Sequence, residues 1–319
     1  MPAAGQRRFR FGVSVRSAGS RAEWIEKARR AEALGYDIFL VADHLAEMLP
    51  PLVPLVSVAD ATSLRVGTFV LNNDLRHPAL VARDAATIDL LSDGRFELGL
   101  GAGHMQPEYE QIGLAFNPAT TRIERLAESV RILKKLFRGE EVSFSGTHYQ
   151  LSDHRLYPLP LQRPHPPLLI GANSREGLSL AAREADIVGL MGFGHRQGGR
   201  RVNPSGFTEA AIRTRIGWIR QAAGTRFENL ELNVLIQRVI VTDDAGTAAA
   251  DFAGQLAPLP EHPLSVNDVL GSPFVLIGTV DELIDEITER RERLGISYYV
   301  VFEPAMEAFA PIVQSLSGT

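Results

Sequence analysis

The chain contains no cysteine at any of its 319 positions. Disulfide bonds, thiolate metal sites and cysteine nucleophiles are therefore excluded together, and catalysis must use other groups. The sequence also lacks a run of about 18 apolar residues, the length that spans a bilayer, and has no basic-then-apolar amino terminus. We therefore expect neither a membrane span nor a secretory signal, and predict a cytoplasmic protein.

Lysine is scarce, since only Lys27, Lys134 and Lys135 contribute to the 33 basic residues. This bias is typical of GC-rich coding. The net charge of -5 is spread over interspersed acidic and basic residues, which gives no field suited to a nucleic-acid backbone. The length and the 45% hydrophobic content predict a single-domain enzyme over residues 1–319.

Apolar segments typical of strands recur along the chain and alternate with amphipathic helix patterns. The predicted strands are Phe9–Val15, Tyr36–Ala42, Arg65–Leu71, Arg95–Gly101, Pro167–Gly171, Asp186–Leu190, Glu231–Val241 and Ser297–Phe302. The predicted helices are Arg21–Leu34, Pro78–Leu91, Thr121–Phe137, Ser174–Glu184, Thr208–Ala223 and Thr279–Leu294. Eight such repeats favour an α/β fold, the closed (β/α)8 TIM barrel, and a doubly wound open sheet is the alternative.

Two insertions interrupt the alternation. After the fourth helix, Val142–Gly146 and His148–Leu151 predict a short hairpin, and Tyr157–Pro167 predicts an extended proline-rich connector. After the sixth strand, the Gly- and Arg-rich stretch Gly192–Gly206 predicts either a solvated loop or an active-site lid.

Barrel enzymes carry their sites at the carboxyl ends of the strands, and four such ends hold small or polar residues. They are Asp43-His44, Asn72, Ala102-Gly103-His104 and Gly171-Ala172-Asn173-Ser174. The last segment opens a helix and predicts a phosphate seat, with a plain turn capped by Ser174 as the alternative. His44 and His104 are candidates for proton handling, or else hydrogen-bonded structural groups.

No metal site is predicted. His148, His154 and His165 lie near the hairpin and the connector without an i, i+4 helical pair or a nearby carboxylate ladder, so exposed loop histidines explain them better.

Four ordered segments carry a family resemblance. They are Ala31–Asp37 leading into Val41–His44, Val66–Thr68 through Arg76–Pro78, Leu91–Arg95 through Gly101–Gly103, and Leu276–Leu283 with Leu294–Ser297. Together the sequence resembles the luciferase-like flavin and deazaflavin oxidoreductases, which are TIM barrels, and most closely the subgroup that uses coenzyme F420. FMN is the alternative cofactor.

The resemblance implies a flavin-like ring held against a bulge in the third strand, at a cis peptide bond that maps to Phe69–Val70. The implied cofactor-binding residues are Asp43, Phe69, Val70, Asn72, Ala102, Gly103, Gly171, Ala172, Asn173 and Ser174, and the implied catalytic residues are His44 and His104. Asp43 could instead cap backbone at the sheet end. The implied reaction is hydride transfer between C5 of F420 and an unidentified small organic substrate. An FMN-dependent monooxygenase and a non-catalytic F420- or flavin-binding protein are the alternatives.

The sequence departs from the family at one place. Sugar-phosphate dehydrogenases of the family have a histidine matching His44, but a glutamate where this chain has His104, which puts a sugar-phosphate substrate in doubt. The resemblance also implies a homodimer, formed through Pro78–Leu91 and the segment before Arg65. Arg196, Arg200 and Arg201 could meet the anionic tail of F420, or belong to a solvated loop.

Overall fold

A computed structural model describes residues 7–192, 194–196, 201–203, 206–256 and 264–319. The strands are β1 Arg10–Ser14, β2 Ile38–Val41, β3 Arg65–Thr68, β4 Leu71–Asn72, β5 Phe96–Gly101, β6 Val142–Ser145, β7 Gln150–His154, β8 Leu168–Ala172, β9 Ile187–Leu190, β10 Gly194–Arg196, β11 Arg201–Asn203, β12 Glu231–Ile236, β13 Arg238–Val241, β14 Val275–Gly278 and β15 Ile296–Phe302. The α-helices are α1 Arg21–Ala33, α2 Leu52–Ala61, α3 Pro78–Leu91, α4 Gln106–Gln111, α5 Ala119–Phe137, α6 Arg175–Glu184, α7 Glu209–Ala223, α8 Ala245–Leu256, α9 Val266–Leu270, α10 Val280–Leu294 and α11 Met306–Leu316.

Parallel pairing closes the main sheet into a barrel. The order runs β1, β2, β3 with β4, β5, β8, β9, β12 and β15, and β15 pairs with β1 to complete the ring. These strands are almost continuously buried because helices cover their outer faces and the barrel fills its own interior. The predicted (β/α)8 barrel is therefore confirmed.

The third barrel strand is broken at the predicted bulge. Its two pieces, β3 and β4, flank the Phe69–Val70 peptide bond, which is cis. The neighbouring strand has Gly99 at this point, and a Cβ there would lie 2.0 Å from the Thr68 carbonyl oxygen. The predicted cis bond is confirmed, whereas the predicted continuous strand Arg65–Leu71 is two short strands.

The prediction of a single strand over Glu231–Val241 is wrong. β12 ends at Ile236, and β13 leaves the barrel to pair in parallel with β14. The segment is apolar on both sides of Gln237, so no breaker in the sequence marks the change of sheet.

Both insertions are present. β6 and β7 form an antiparallel hairpin after α5, although β7 begins two residues later than expected, and β10 and β11 form a second hairpin after β9. The expected exposure of the loop histidines is wrong for His148 and His165, whose side chains are 11% and 9% exposed. Among the described residues no helix is long and apolar enough to cross a membrane.

The main apolar core lies between the strands and the surrounding helices, and a smaller apolar group including Leu40, Leu169 and Val300 fills the barrel. Ion pairs between charged side chains fill the amino-terminal end of the barrel. Arg10 bonds the carboxylates of Glu97 and Glu231, the latter at 2.7 Å from Nη1 to Oε2. The barrel interior is therefore filled at the amino-terminal ends of the strands, and open space lies at their carboxyl ends.

Candidate active site

A cavity of about 730 Å³ opens at the carboxyl ends of the barrel strands. This volume falls in the range of small-molecule sites, about 300–1,000 Å³. All twelve predicted site residues line it: Asp43, His44, Phe69, Val70, Asn72, Ala102, Gly103, His104, Gly171, Ala172, Asn173 and Ser174. Residues far apart in the chain thus converge on one space, as the strand-end argument requires.

The Asp43 side chain is held by hydrogen bonds to residues next to the cavity. Its buried carboxylate accepts the Asn72 backbone N–H at 3.0 Å and pairs with Arg76, with Nη1 2.5 Å from Oδ2. This is the sheet-end arrangement that the sequence left open as the alternative. These contacts hold the end of β4 and the backbone of Asn72 in place, and Asp43 also lines the cavity.

His44 is paired with a carboxylate from α4. Its Nδ1 lies 2.8 Å from Oε1 of Glu108, which is largely buried, while the imidazole side chain keeps 32% of its surface exposed to the cavity. An ionised carboxylate only accepts hydrogen bonds, so Nδ1 carries the proton and Nε2 of a neutral ring is left with a free lone pair. The His104 ring stands perpendicular to it at 5.5 Å.

A tight turn at Gly103 forms the part of the cavity wall between the two histidines and the Phe69–Val70 bulge. Gly103 has φ +77°, and a Cβ there would lie 2.0 Å from Oη of Tyr109 and 2.6 Å from Oδ1 of Asn72. The Tyr109 hydroxyl donates to Oδ1 of Asn72 at 3.1 Å. Burial, with Asp74 nearby, raises the pKa of Tyr109, so this hydroxyl remains a donor. Only glycine fits this approach of the turn to Asn72.

The floor of the cavity is apolar and built around Val70. The Val70 side chain lies against Gly101 and Gly171, where added Cβ atoms would approach it to 2.7 and 3.4 Å. Phe69, Ile170 and Met191 extend this surface. An apolar floor with polar groups at its rim suits a mainly apolar ring that has a polar edge.

The predicted phosphate seat is the amino-terminal turn of α6. Ser174 caps the helix, because its Oγ accepts the Gly177 N–H at 3.1 Å, and Oδ1 of Asn173 accepts the Met191 N–H at 3.3 Å. The cap satisfies one backbone donor. The other first-turn N–H groups and the positive end of the helix dipole lie beside the cavity.

The sequence did not single out three charged residues that line the cavity: Glu108, Arg122 and Arg215. Arg122 stacks on Phe116 at 4.0 Å and donates to the Gly103 carbonyl at 3.3 Å, so it supports the turn. Arg122 and Arg215 lie on predicted amphipathic helices, where a charged residue usually belongs to the solvent-exposed face. No motif marks Glu108, and no helix is predicted around it.

The proposed tail contacts lie outside the described residues, since these do not include Arg200 or the side chains of Arg196 and Arg201. Across the described ranges, no group of three or more histidine, aspartate or glutamate side chains could hold a metal ion.

Comparison with known proteins identifies the family of this chain. The family model for luciferase-like monooxygenases matches residues 7–260. An F420-dependent glucose-6-phosphate dehydrogenase from Nakamurella multipartita is 31% identical over 82% of this chain and 77% of its own length. The chain therefore belongs to the luciferase-like monooxygenase family, which confirms that it is an oxidoreductase enzyme.

Other similarities extend across the family. A protein of the same description from Microbacterium testaceum is 28% identical over 93% of this chain and 91% of its own length. An FMNH(2)-dependent dimethylsulfone monooxygenase from Pseudomonas putida is 37% identical over 34% of this chain and 30% of its own length. The F420-dependent tetrahydromethanopterin reductase of Methanopyrus kandleri has the same fold, with a TM-score of 0.76 at 17% identity, covering 97% of this chain and 99% of that one.

Proposed function

We propose that this protein is an F420-dependent oxidoreductase acting on a small organic substrate. The observation that carries the proposal is the convergence of a glycine-lined apolar floor, a helix amino terminus and the His44–Glu108 pair on one cavity. The two F420-dependent dehydrogenase relatives support the choice of cofactor.

The residues of the cavity fit a deazaflavin. Phe69, Val70, Ala102 and Gly103 would lie along the ring, and Asn72 offers amide groups to its polar edge. The segment Gly171–Ser174 would receive the phosphate at the start of α6. When bound, F420 supplies a ring carbon, C5, that gives or accepts a hydride.

His44 handles the proton in this proposal. With Nδ1 held by Glu108, Nε2 is the atom that accepts a proton from a substrate hydroxyl, or returns one to a carbonyl oxygen. His104 lies within the same wall and would orient the substrate oxygen.

Turnover of a His44 variant tests the assignment. We expect His44→Ala to lower F420 reduction or oxidation by about 10²- to 10⁴-fold, the usual contribution of a positioned acid or base. The assay would follow F420 absorbance with alcohols, sugar phosphates and unsaturated carbonyl compounds. His154→Ala, on the β7 hairpin, is the matched control. An unchanged rate in His44→Ala would exclude His44 as the proton carrier, and bound F420 without any turnover in the wild type would favour a non-catalytic binding protein.

An FMN-dependent monooxygenase is the second candidate. The dimethylsulfone monooxygenase relative supports it, although the similarity covers only 34% of the chain. The two candidates differ in the ring they bind, and cofactor affinity distinguishes them.

We further propose a cytoplasmic homodimer that pairs through α2 and α3. These helices pack beside each other and carry Val53, Leu80 and Leu91 with 76%, 56% and 56% of their surface exposed. Exposed apolar side chains on adjacent helices are typical of a protein–protein interface, which supports dimer formation through α2 and α3. α2 is the segment before Arg65 that the sequence implicated.

A further inference from the structure

Arg215 is a buried cation on the wall of the active-site cavity. It projects from α7, only 8% of its surface is exposed, and it lines the same space as Asn173 and Ser174. Burial lowers its pKa, and no carboxylate among the described residues offsets this effect. The neighbouring stretch 193–205 contains no acidic residue. A buried guanidinium without a counter-ion is costly, since buried charges are normally paired.

Another buried arginine shows what a satisfied guanidinium looks like in this fold. Arg290 bonds the carbonyl oxygens of Ser272, Pro273 and Val275 and pairs with Glu286 at 2.6 Å. A guanidinium has five N–H donors. In the part of the chain that the structure describes, Arg215 donates a single hydrogen bond, from Nη1 to the Met191 carbonyl at 2.8 Å. None of its other donors has a partner among the described residues, and a guanidinium in this position can bind an oxyanion.

The position of this side chain is built into the fold. A Cβ at Gly206 would lie 1.8 Å from Nη2 of Arg215, so the guanidinium would have to move if any other residue stood there. On the other side, Met191 joins Arg215 to Asn173, which accepts the Met191 N–H at 3.3 Å. Arg215 also lines the same cavity as Ser174 and Gly177, which begin α6, and α6 packs against α7.

We propose that Arg215 is the cationic part of an oxyanion site, completed by Asn173 and the first turn of α6, and that it binds a phosphate group. Guanidinium and phosphate match in charge and hydrogen-bonding geometry. The phosphate is carried either by the cofactor or by the substrate. The first source rests on the proposed function, whereas the existence of the site does not.

Binding of inorganic phosphate to the purified protein tests the site directly. We expect Arg215→Gln to weaken phosphate binding by about tenfold or more, the usual effect of losing a hydrogen bond to a charged group. Arg213→Gln removes the same charge from the exposed face of α7, where Arg213 pairs with Glu209, and should change the affinity by less than about twofold. Arg215→Lys should recover part of the loss because it keeps the charge.

Two deazaflavins distinguish the sources. If the cofactor carries the phosphate, Arg215→Gln weakens F420 by about tenfold and leaves the phosphate-free 8-hydroxy-5-deazariboflavin within about twofold. If the substrate carries it, both deazaflavins keep their affinity and only phosphate binding falls. Either result supports the site.

If Arg215→Gln binds phosphate and F420 as tightly as the wild type, the proposal is wrong. It is also wrong if the variant loses affinity equally for both deazaflavins while its affinity for phosphate is unchanged. Where Arg215→Gln does not fold, Gly206→Ala displaces the guanidinium without removing its charge, and the same loss of phosphate binding is expected. A wild-type protein that binds neither deazaflavin would contradict the proposed function, while the phosphate titration would still decide the role of Arg215.

Discussion

The His44 ring owes its orientation to a carboxylate from a different element. Glu108 comes from the short helix α4, which directly follows the turn at Gly103, so the same loop that shapes the cavity wall delivers the partner of Nδ1. In the proposed reaction Glu108 would also stabilise the imidazolium that forms when His44 accepts a proton. In our account it positions His44 and does not touch the reacting atoms.

Replacing Glu108 by glutamine tests this positioning role. We expect Glu108→Gln to lower kcat by about 10²-fold, because an amide neither fixes the tautomer nor stabilises the imidazolium. The KM for F420 should stay within about twofold of the wild type, since general acid–base effects act on kcat. Steady-state kinetics would measure both. Glu110→Gln on the exposed side of α4 is the matched control, and a loss in KM with kcat intact would contradict the role.

Residues inside helices were the least predictable part of the site. The strand ends gave Asp43, Asn72 and Gly103 because barrel topology alone brings them together. Glu108 and Arg215 depend on which way a helix faces after its loop, and a polar residue in an amphipathic pattern has the same appearance whether it meets water or a cavity.

At the scale of elements, one carboxylate holds the hairpin insertion to the barrel. Glu128 of α5 accepts the backbone N–H groups of Thr147, His148 and Tyr149 at 2.8, 3.0 and 3.1 Å. Burial acts to raise the pKa of Glu128, but these hydrogen bonds outweigh it and lower the pKa below its ordinary value. Tyr149 in turn packs on His77 beside α3, so the hairpin turn adjoins the barrel.

Glu128→Gln should therefore destabilise the protein in a pH-dependent way. We expect the free energy of unfolding to fall by about 2 kcal/mol at pH 7, the worth of hydrogen bonds to a charged group. Because the folded pKa is below the unfolded value of about 4.3, this stabilisation is complete above that value and is lost as the pH falls through the folded pKa. Urea unfolding would measure the difference at each pH.

The control for this experiment is Glu124→Gln. Glu124 lies one turn earlier on α5 and is 69% exposed, so its loss should change the free energy of unfolding by less than about 0.5 kcal/mol. A Glu128→Gln effect that stayed constant from pH 7 to the start of acid unfolding would show that the charge of Glu128 is not the cause.

Helices and strands were predictable where the apolar residues followed a single period, either a continuous buried strand or one face of a helix. The barrel strands are continuous apolar runs, and α1 shows Trp24, Ile25, Ala28 and Ala31 buried on one face. α2 escaped prediction because Leu52–Val56 is apolar all round and contains a proline, which removes the helical period. β13 escaped because its apolar residues continue those of β12 without a turn signal.

At the scale of the whole molecule, the proposed dimer has a simple test. The chain mass is 34.9 kDa, and we expect sedimentation at twice that mass. Val53→Asp combined with Leu91→Asp should shift the protein to the monomer, because burying two carboxylates in an apolar interface is unfavourable. Leu270→Asp, on an exposed position of α9, is the control. A wild-type monomer would contradict the pairing.

The central claim is that the closed barrel gathers the ends of its second to fifth strands into a deazaflavin site. Equilibrium titration of the purified protein with F420 and with FMN, followed by fluorescence, tests it most directly. We predict one F420 per chain, bound at least about tenfold more tightly than FMN, a difference of about 1.4 kcal/mol in binding free energy. Binding of FMN as tightly as F420, or no binding of F420, would contradict the account.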